Sequence, residues 1–406
     1  MNYLKNIKKG IRIKDTFNYF IIIVMLAVPL LMSTFGNLPR SSAGLLAQMA
    51  YSILLAVSLN LVVGFLGELS LGHAGFMCVG AYIGCYIAKE LYNVMDSKLL
   101  VLIISMLIGG LVAAVFGFII GLPALRLKGD YLAIVTLAFG EIVRTIFKNL
   151  PTFGAALGLS TKKYGNDLYI VALVTVLISL FLIQNIIRSK HGRAITAIRD
   201  NEIAAKAMGI NITYYKLFVF VLAAFFAGMA GVIYGSYVTP VVYSFFSFNY
   251  SIEILVMVVL GGMGNITGSI ISAVFITYLN FQLQTQLSGD LAALKYLVYA
   301  IILIVVVIFN NAPALKSVRE RFSIANKLRE KRLKNPEKQY SDTNRWDVVT
   351  TKIRMDEVLT TDVKQNDPFK PDKPQKGGKY AGLTMYLKLK ILEFHSADLK
   401  RFRMLI

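Results

Sequence analysis

Charge is scarce in this sequence. Asp, Glu, Lys and Arg make up 16% of the 406 residues and hydrophobic residues make up 56%. Soluble globular domains carry about a quarter charged residues, so an ordinary soluble domain is excluded. Ten-residue segments of alternating polarity, the mark of a transmembrane β-barrel, are also lacking. There are two cysteines, Cys78 and Cys85, seven apart in one apolar segment. On a helix that spacing separates them by roughly 10 Å along the axis, too far for a disulfide, so they read as small packing residues. The 3 His and 2 Cys form no cluster that suggests a metal. A phosphate-binding loop of the G-x-x-x-x-G-K-[ST] type is missing too: "QKGGKYAG" has the Gly-Lys pair without the rest. This chain therefore shows no ATP-binding signature of that type.

Acidic residues are the minority charge, 23 against 43 basic, for a net charge of +20. Half of that excess sits in Ala314–Ile406, which holds 22 Lys and Arg against 12 Asp and Glu. In a membrane chain such a surplus points to cytoplasmic loops and anionic headgroups, not to nucleic acid.

What the sequence does hold is long apolar runs. Blocks of roughly 18 residues or more are long enough to cross a bilayer as helices. The expected architecture is an all-α polytopic membrane protein with about ten transmembrane helices: Phe17–Phe35, Leu45–Leu66, Leu71–Leu91, Leu99–Leu122, Tyr131–Phe147, Leu168–Ile187, Tyr215–Tyr234, Val241–Met263, Ile266–Leu283 and Leu294–Phe309. The first run reads as a retained span instead of a signal peptide, because it is long and its cleavage pattern weak. Lys5, Lys8, Lys9, Arg12 and Lys14 put the N-terminus in the cytoplasm. Counting from there, the loops with Arg126 and Lys128, and with Arg188, Lys190, Arg193 and Arg199, also fall inside. A cytoplasmic basic tail needs an even count, so "GGMGN" must be a tight turn between two spans and not a kink within one. The expected division is a basic N-terminus at 1–16, a transmembrane domain at 17–313 with a cytoplasmic loop at 188–213, and a basic tail at 314–406. The tail is expected to start amphipathic or helical and then become disordered.

Inside the long loop lies "GRAITAIRDNEIAAKAMGIN", Gly192 to Asn211. Asp200 can cap a short helix, Glu202 suits its first turn and Lys206 its last, and Gly209 can end it in a left-handed conformation. Ile203, Ala204, Ala207 and Met208 share one face. Such small residues with Met suit close docking into a groove; an ordinary amphipathic loop on the membrane surface is the alternative.

Three other stretches stand out. "NLVVGFLGELSLGHAGFMCVGAYIG" holds glycines that allow close helix approach, among them Gly72 and Gly75, and His73, which either lines a substrate path or bonds across helices. "GLPALRLKGDYLAIVTLAFGEIVR" places Glu141 and Arg144 three apart on one face, where they can pair as an interfacial salt bridge or as a polar gate at the outer mouth. "SIEILVMVVLGGMGNITGSIISAVF" carries Glu253 in an apolar run and the glycine-rich turn. Gly72, His73, Gly75, Glu141, Arg144 and Glu253 are the candidates for a translocation path.

"EIAAKAMGIN" resembles the EAA loop of bacterial ABC-importer permeases, with Glu202, Ala204, Ala205 and Gly209 at the matching places. Together with the three stretches above, the chain from Asn60 to Phe275 is similar to the branched-chain amino acid permeases of the LivM type. That resemblance implies an ABC importer permease fold in a bacterial inner membrane, carrying Leu, Ile and Val by alternating access and not acting as an enzyme. It implies that Asp200, Glu202, Ile203, Ala204, Ala205, Ala207, Met208 and Gly209 couple to an ATPase. The implied partners are a second, homologous permease, two ATPase subunits that hold ATP and Mg, and a substrate-binding protein, all around a lipid bilayer. A same-family permease for urea or short amides is the nearest alternative; a purine or nucleoside importer and an ion-driven secondary transporter stand further off. Family chains are expected to stop near Lys316–Arg332, so the remaining tail is either an extension or a read-through or frameshifted end.

Overall fold

The computed structural model describes residues 13–34, 39–124, 129–162, 164–165, 167–286 and 301. The chain divides into Met1–Arg321 and Phe322–Ile406, and every described residue belongs to the first unit. The expectations for the tail at 314–406 fall outside the described residues.

Among the described residues there is no strand, only one isolated bridge between Leu159 and Val241. The helices are α1 (Ile13–Thr34), α2 (Arg40–Asn60), α3 (His73–Leu91), α4 (Lys98–Ala124), α5 (Asp130–Asn149), α6 (Leu168–Arg188), α7 (Lys190–Asp200), α8 (Glu202–Ala207), α9 (Ile212–Tyr237), α10 (Phe248–Gly261) and α11 (Ile266–Gln286). A π-helical turn, Leu61–Leu66, continues α2. Among the described residues, five stretches are long and apolar enough to span a bilayer: Arg40–Leu66, Lys98–Ala124, Leu168–Arg188, Ile212–Tyr237 and Ile266–Leu283.

Nine of the ten expected spans fall on described helices; the last, Leu294–Phe309, lies outside the described residues apart from Ile301. One boundary needs correction. The run from Val241 does not become helical until Phe248, and α10 has 14 residues. At 1.5 Å per residue that is roughly 21 Å, short of a hydrocarbon core about 30 Å thick. Residues Val241–Ser247 are held instead by the Leu159 bridge and a short 3-10 turn at Tyr243–Phe246. The "GGMGN" stretch is a tight turn as expected. Gly262 and Gly264 take φ of 88° and 77°, and Asn265 N donates to Gly262 O at 3.0 Å. Past the turn, α10 and α11 touch backbone to backbone at Gly261 and Gly268.

Two kinds of contact hold the bundle. Helices α3, α4 and α9 pack through glycines: a Cβ on Gly80 would meet Gly228 O at 2.2 Å, and one on Gly231 would meet Met77 O at 2.1 Å. Lipid is as apolar as Leu, so membrane helices gain little hydrophobic drive from each other and rely on such close packing. The opposite face of α4 (Leu107, Leu111, Val115, Phe118, Ile119) is exposed, as suits contact with lipid. Helix α2 is central, with 94% of its apolar window buried against 39% for α4. Beside its apolar packing it makes polar links: Asn60 Nδ2 donates to Ser269 Oγ at 2.9 Å and Gly264 N donates to Asn60 Oδ1 at 2.9 Å.

The turns gather at two ends. Leu61–Gly72, the α7–α8 segment and Gly262–Asn265 meet at one. Tyr92, the segment from Leu150 to Lys162 and Val238–Ser247 meet at the other, where Lys162 lies 5.9 Å from the Tyr92 ring and Leu159 pairs with Val241.

Candidate functional site

Helix α6 ends in a sharp corner. Ser189 leaves helical geometry, and its hydroxyl accepts from His191 N at 3.1 Å and Gly192 N at 3.4 Å. Gly192 is required there, because a Cβ would lie 1.9 Å from Ile187 O. Helix α7 then buries Ile195 and Ile198. It stops at Asn201, whose extended backbone ends α7 and starts α8. The Asn201 Oδ1 accepts from Ala204 N at 3.0 Å. Asp200 is thus not the cap expected from the sequence. It is still within α7, where its side chain cannot face the free N–H groups of α8, and it pairs with Arg199 at 2.9 Å.

The far end of α8 follows the sequence. Gly209 takes φ 79°, Gly209 N donates to Lys206 O and Ile210 N to Ala205 O, at 3.0 and 3.1 Å. This is a Schellman closure. Both ends of a six-residue helix, too short to be stable alone, are therefore fixed by local bonds. Ile203 and Met208 are each 83% exposed, with Ala204 and Ala207 exposed beside them. Ala205 is the exception among the eight named residues: it is buried, facing the bundle.

Glu202 turns back toward the bundle. Its Oε2 lies 3.3 Å from Lys216 Nζ, which lies 2.5 Å from Glu68 Oε1. Lys216 is buried at the start of α9 and Glu68 lies in the nonhelical stretch after the π turn. Arg199 Nη1 donates to Gly64 O, a carbonyl within that turn, at 3.0 Å. Sequence reasoning missed Glu68 and Lys216 and gave Arg199 no contact. Their only signal was a single charge at the end of an apolar run, which also fits a side chain reaching for the interface.

The path candidates do not form one cluster. Gly72 and Gly75 face α5, where a Cβ would lie 2.4 Å from Thr136 O and 2.7 Å from Gly140 Cα respectively. His73 is buried and shares a 2.7 Å hydrogen bond with Ser58 Oγ; of its two suggested roles, the bond across helices is the one seen. Glu141 and Arg144 do pair, at 2.6 Å, with about a third of each side chain exposed, and the second Glu141 oxygen accepts from Phe248 N at 3.2 Å. Glu253 is buried on α10 and bonded to the Asn280 amide of α11. Aromatic rings pack the end that holds Glu141: Tyr82 stacks on Phe147 at 4.5 Å and Tyr234 on Phe245 at 4.2 Å.

A family model described as "Branched-chain amino acid transport system / permease component" matches residues 41–307. The chain is 36% identical over 293 residues to the high-affinity branched-chain amino acid transport system permease protein LivM of Salmonella typhimurium, covering 63% of this chain and 65% of that protein. It is 32% identical over 315 residues to the protein of the same name from Escherichia coli, covering 68% and 70%. A more distant relative is the ribose import permease protein RbsC of Haemophilus influenzae, 23% identical over 328 residues, 76% of this chain and 97% of that one. The chain thus spans about two thirds of the length of the two LivM proteins. No solved structure matches it.

Proposed function

The chain belongs to the branched-chain amino acid transport system permease family, and on that premise we propose that it is the membrane-spanning subunit of an ATP-driven importer for Leu, Ile and Val. It is a multi-pass membrane protein of a transport family; the bacterial inner membrane and cytoplasmic termini are part of the proposal. ATP and Mg bind a pair of ATPase subunits, a related permease completes the path, and a binding protein delivers the cargo. This chain performs no bond chemistry.

One observation carries the coupling part. Helix α8, locked at both ends, holds Ile203 and Met208 out of the bundle. Burying those two side chains in a groove of an ATPase is worth about 3–6 kcal/mol. A nucleotide-driven change in that groove shifts the permease only by the difference in affinity between its two states. In this reading the Glu141–Arg144 pair, at the end opposite α8, offers both signs of charge to a zwitterionic cargo.

The test is uptake of labelled leucine and labelled urea by cells with and without the gene, with ATP depletion as a control. Loss of ATP-dependent leucine uptake alone is expected. Loss of urea uptake alone moves the cargo and keeps the fold. Uptake that survives ATP depletion but collapses with the ion gradient overturns the proposal.

A further inference from the structure

The residues around α8 form more than a docking surface. Lys216 is 4% exposed and bridges two carboxylates from different parts of the chain, Glu202 of α8 and Glu68 beyond the π turn of α2. Buried charges persist when they are paired, and here the pairing ties a surface helix to the central helix of the bundle. A second tie runs parallel: Arg199, at the end of α7, donates to Gly64 O inside the π turn. Gly64 in turn packs on the α10–α11 turn, where Gly264 N donates to Asn60 of α2. The π turn is a local break in regular hydrogen bonding, and such breaks frequently sit at functional sites. Here it lies at the meeting point of three segments.

We propose that the Glu202–Lys216–Glu68 ion pairs, with Arg199 on Gly64 O, form the joint that passes displacement of α8 to the end of α2 and the α10–α11 turn. The proposal rests on the reading of α8 as the ATPase-docking element. Glu68 and Lys216 are positioning residues: they touch neither cargo nor nucleotide and act through the segments they connect. Without them, α8 still docks, but the single Arg199–Gly64 hydrogen bond that remains does not carry its motion to the end of α2.

The distinguishing variant is the double substitution Glu68→Gln with Lys216→Met, made in the full importer complex in membrane vesicles. Removing Lys216 alone orphans Glu68 inside the protein, which destabilises strongly; removing both leaves only Glu202 without its partner, and that carboxylate is 37% exposed and so reaches water. If the pair serves stability alone, the double variant transports in proportion to its amount in the membrane. If it is the joint, the double variant is present at wild-type amount, keeps its ATPase subunits and hydrolyses ATP within about twofold of wild type, while leucine uptake per ATP falls at least tenfold. Uptake per ATP at the wild-type value overturns the proposal, and so does uptake that falls only as the amount of protein falls. Should the double variant be absent from the membrane, Glu68→Gln alone, which leaves Lys216 its Glu202 partner, is read by the same ratio. A separate variant, Ile203→Asp with Met208→Asp, tests the docking reading: it should release the ATPase subunits. If it keeps them and transports normally, the docking reading fails and the joint with it. If it releases them while the Glu68 and Lys216 variants transport at the wild-type ratio, docking stands and the joint alone fails.

Discussion

Gly231→Ala separates packing from every other role a glycine plays. Gly231 lies mid-helix in α9 with no left-handed φ, so alanine is acceptable to its own backbone. Its added Cβ, however, would lie 2.1 Å from Met77 O and 2.8 Å from Ala81 N, both backbone atoms of α3. A backbone carbonyl cannot swing aside as a side-chain end can. Restoring ordinary contact at about 3.4 Å parts the helices there by roughly 1.3 Å, and a radial gap of about 0.5–1 Å already forfeits a quarter to a half of each pair's dispersion energy. Overpacking of this kind costs about 1–3 kcal/mol; the backbone-on-backbone geometry places Gly231 at the upper end, even after the gain of roughly 1 kcal/mol from replacing a helical glycine. Gly140→Ala is the matched control, since its Cβ would come no nearer than 3.8 Å to Gly72 Cα. Thermal unfolding of the two purified variants in detergent should show Gly231→Ala lowered by several degrees and Gly140→Ala unchanged or slightly raised. Equal melting temperatures for Gly231→Ala and wild type would refute the idea that α3 and α9 are fixed by backbone contact.

Asn201→Ala removes the N-cap of α8 and should cost about 1 kcal/mol of local helix stability, read as faster amide exchange at Ala204 and Ala205, whereas Asp200→Ala leaves those amides protected. Asn60→Leu strands Gly264 N, while the Ser269 hydroxyl keeps Asn265 O as its acceptor; an orphaned group of this kind costs about 1–3 kcal/mol, so it should lower the melting temperature more than Arg144→Met. The latter breaks a pair that is about one third exposed, for which a cost under about 1 kcal/mol is expected; its larger effect should be on leucine uptake. Cys78 and Cys85 are both free and buried, so a maleimide should label the folded protein in membranes only after denaturation.

The bundle was largely legible because a bilayer leaves a chain few options. Every backbone group in lipid must be paired within the chain, which turns apolar runs into helices. The turn at Gly262–Asn265 followed from charge, because a cytoplasmic basic tail needs an even number of spans. The short α10 was not legible, because Val241–Ser247 is as apolar as a helix start, and what holds Val241 in a bridge instead is Leu159, 82 residues away in sequence. At α8, composition marked the helix but not its cap: Asp200 and Asn201 are both good capping residues, and only the backbone at Asn201, φ −159° and ψ 104°, decides between them. Glu68 and Lys216 are 148 positions apart. No local pattern links two lone charges at that distance, so their pairing belonged to the fold and not to any motif.

Helix α9 is where the two kinds of contact meet. Near its start, Lys216 belongs to the charged cluster; from Gly228 to Gly235 the helix lies backbone on backbone against α3 and α4 or against Cys85 of α3. Between Lys216 and Gly228 the sequence "LFVFVLAAFFA" contains no proline, glycine or π turn, so it has none of the usual causes of a kink. Those twelve steps make a stiff rod of roughly 18 Å. The end of α2 differs at the same level, because its last turn is π-helical and is followed by six nonhelical residues from Gly67 to Gly72. Ion pairs tolerate displacement, since Coulomb attraction falls only as the inverse of distance, while the glycine contacts of α9 tolerate none. Between a rod pinned by glycines and a helix end already broken, the proposed joint requires that a pull on Glu202 move the broken end.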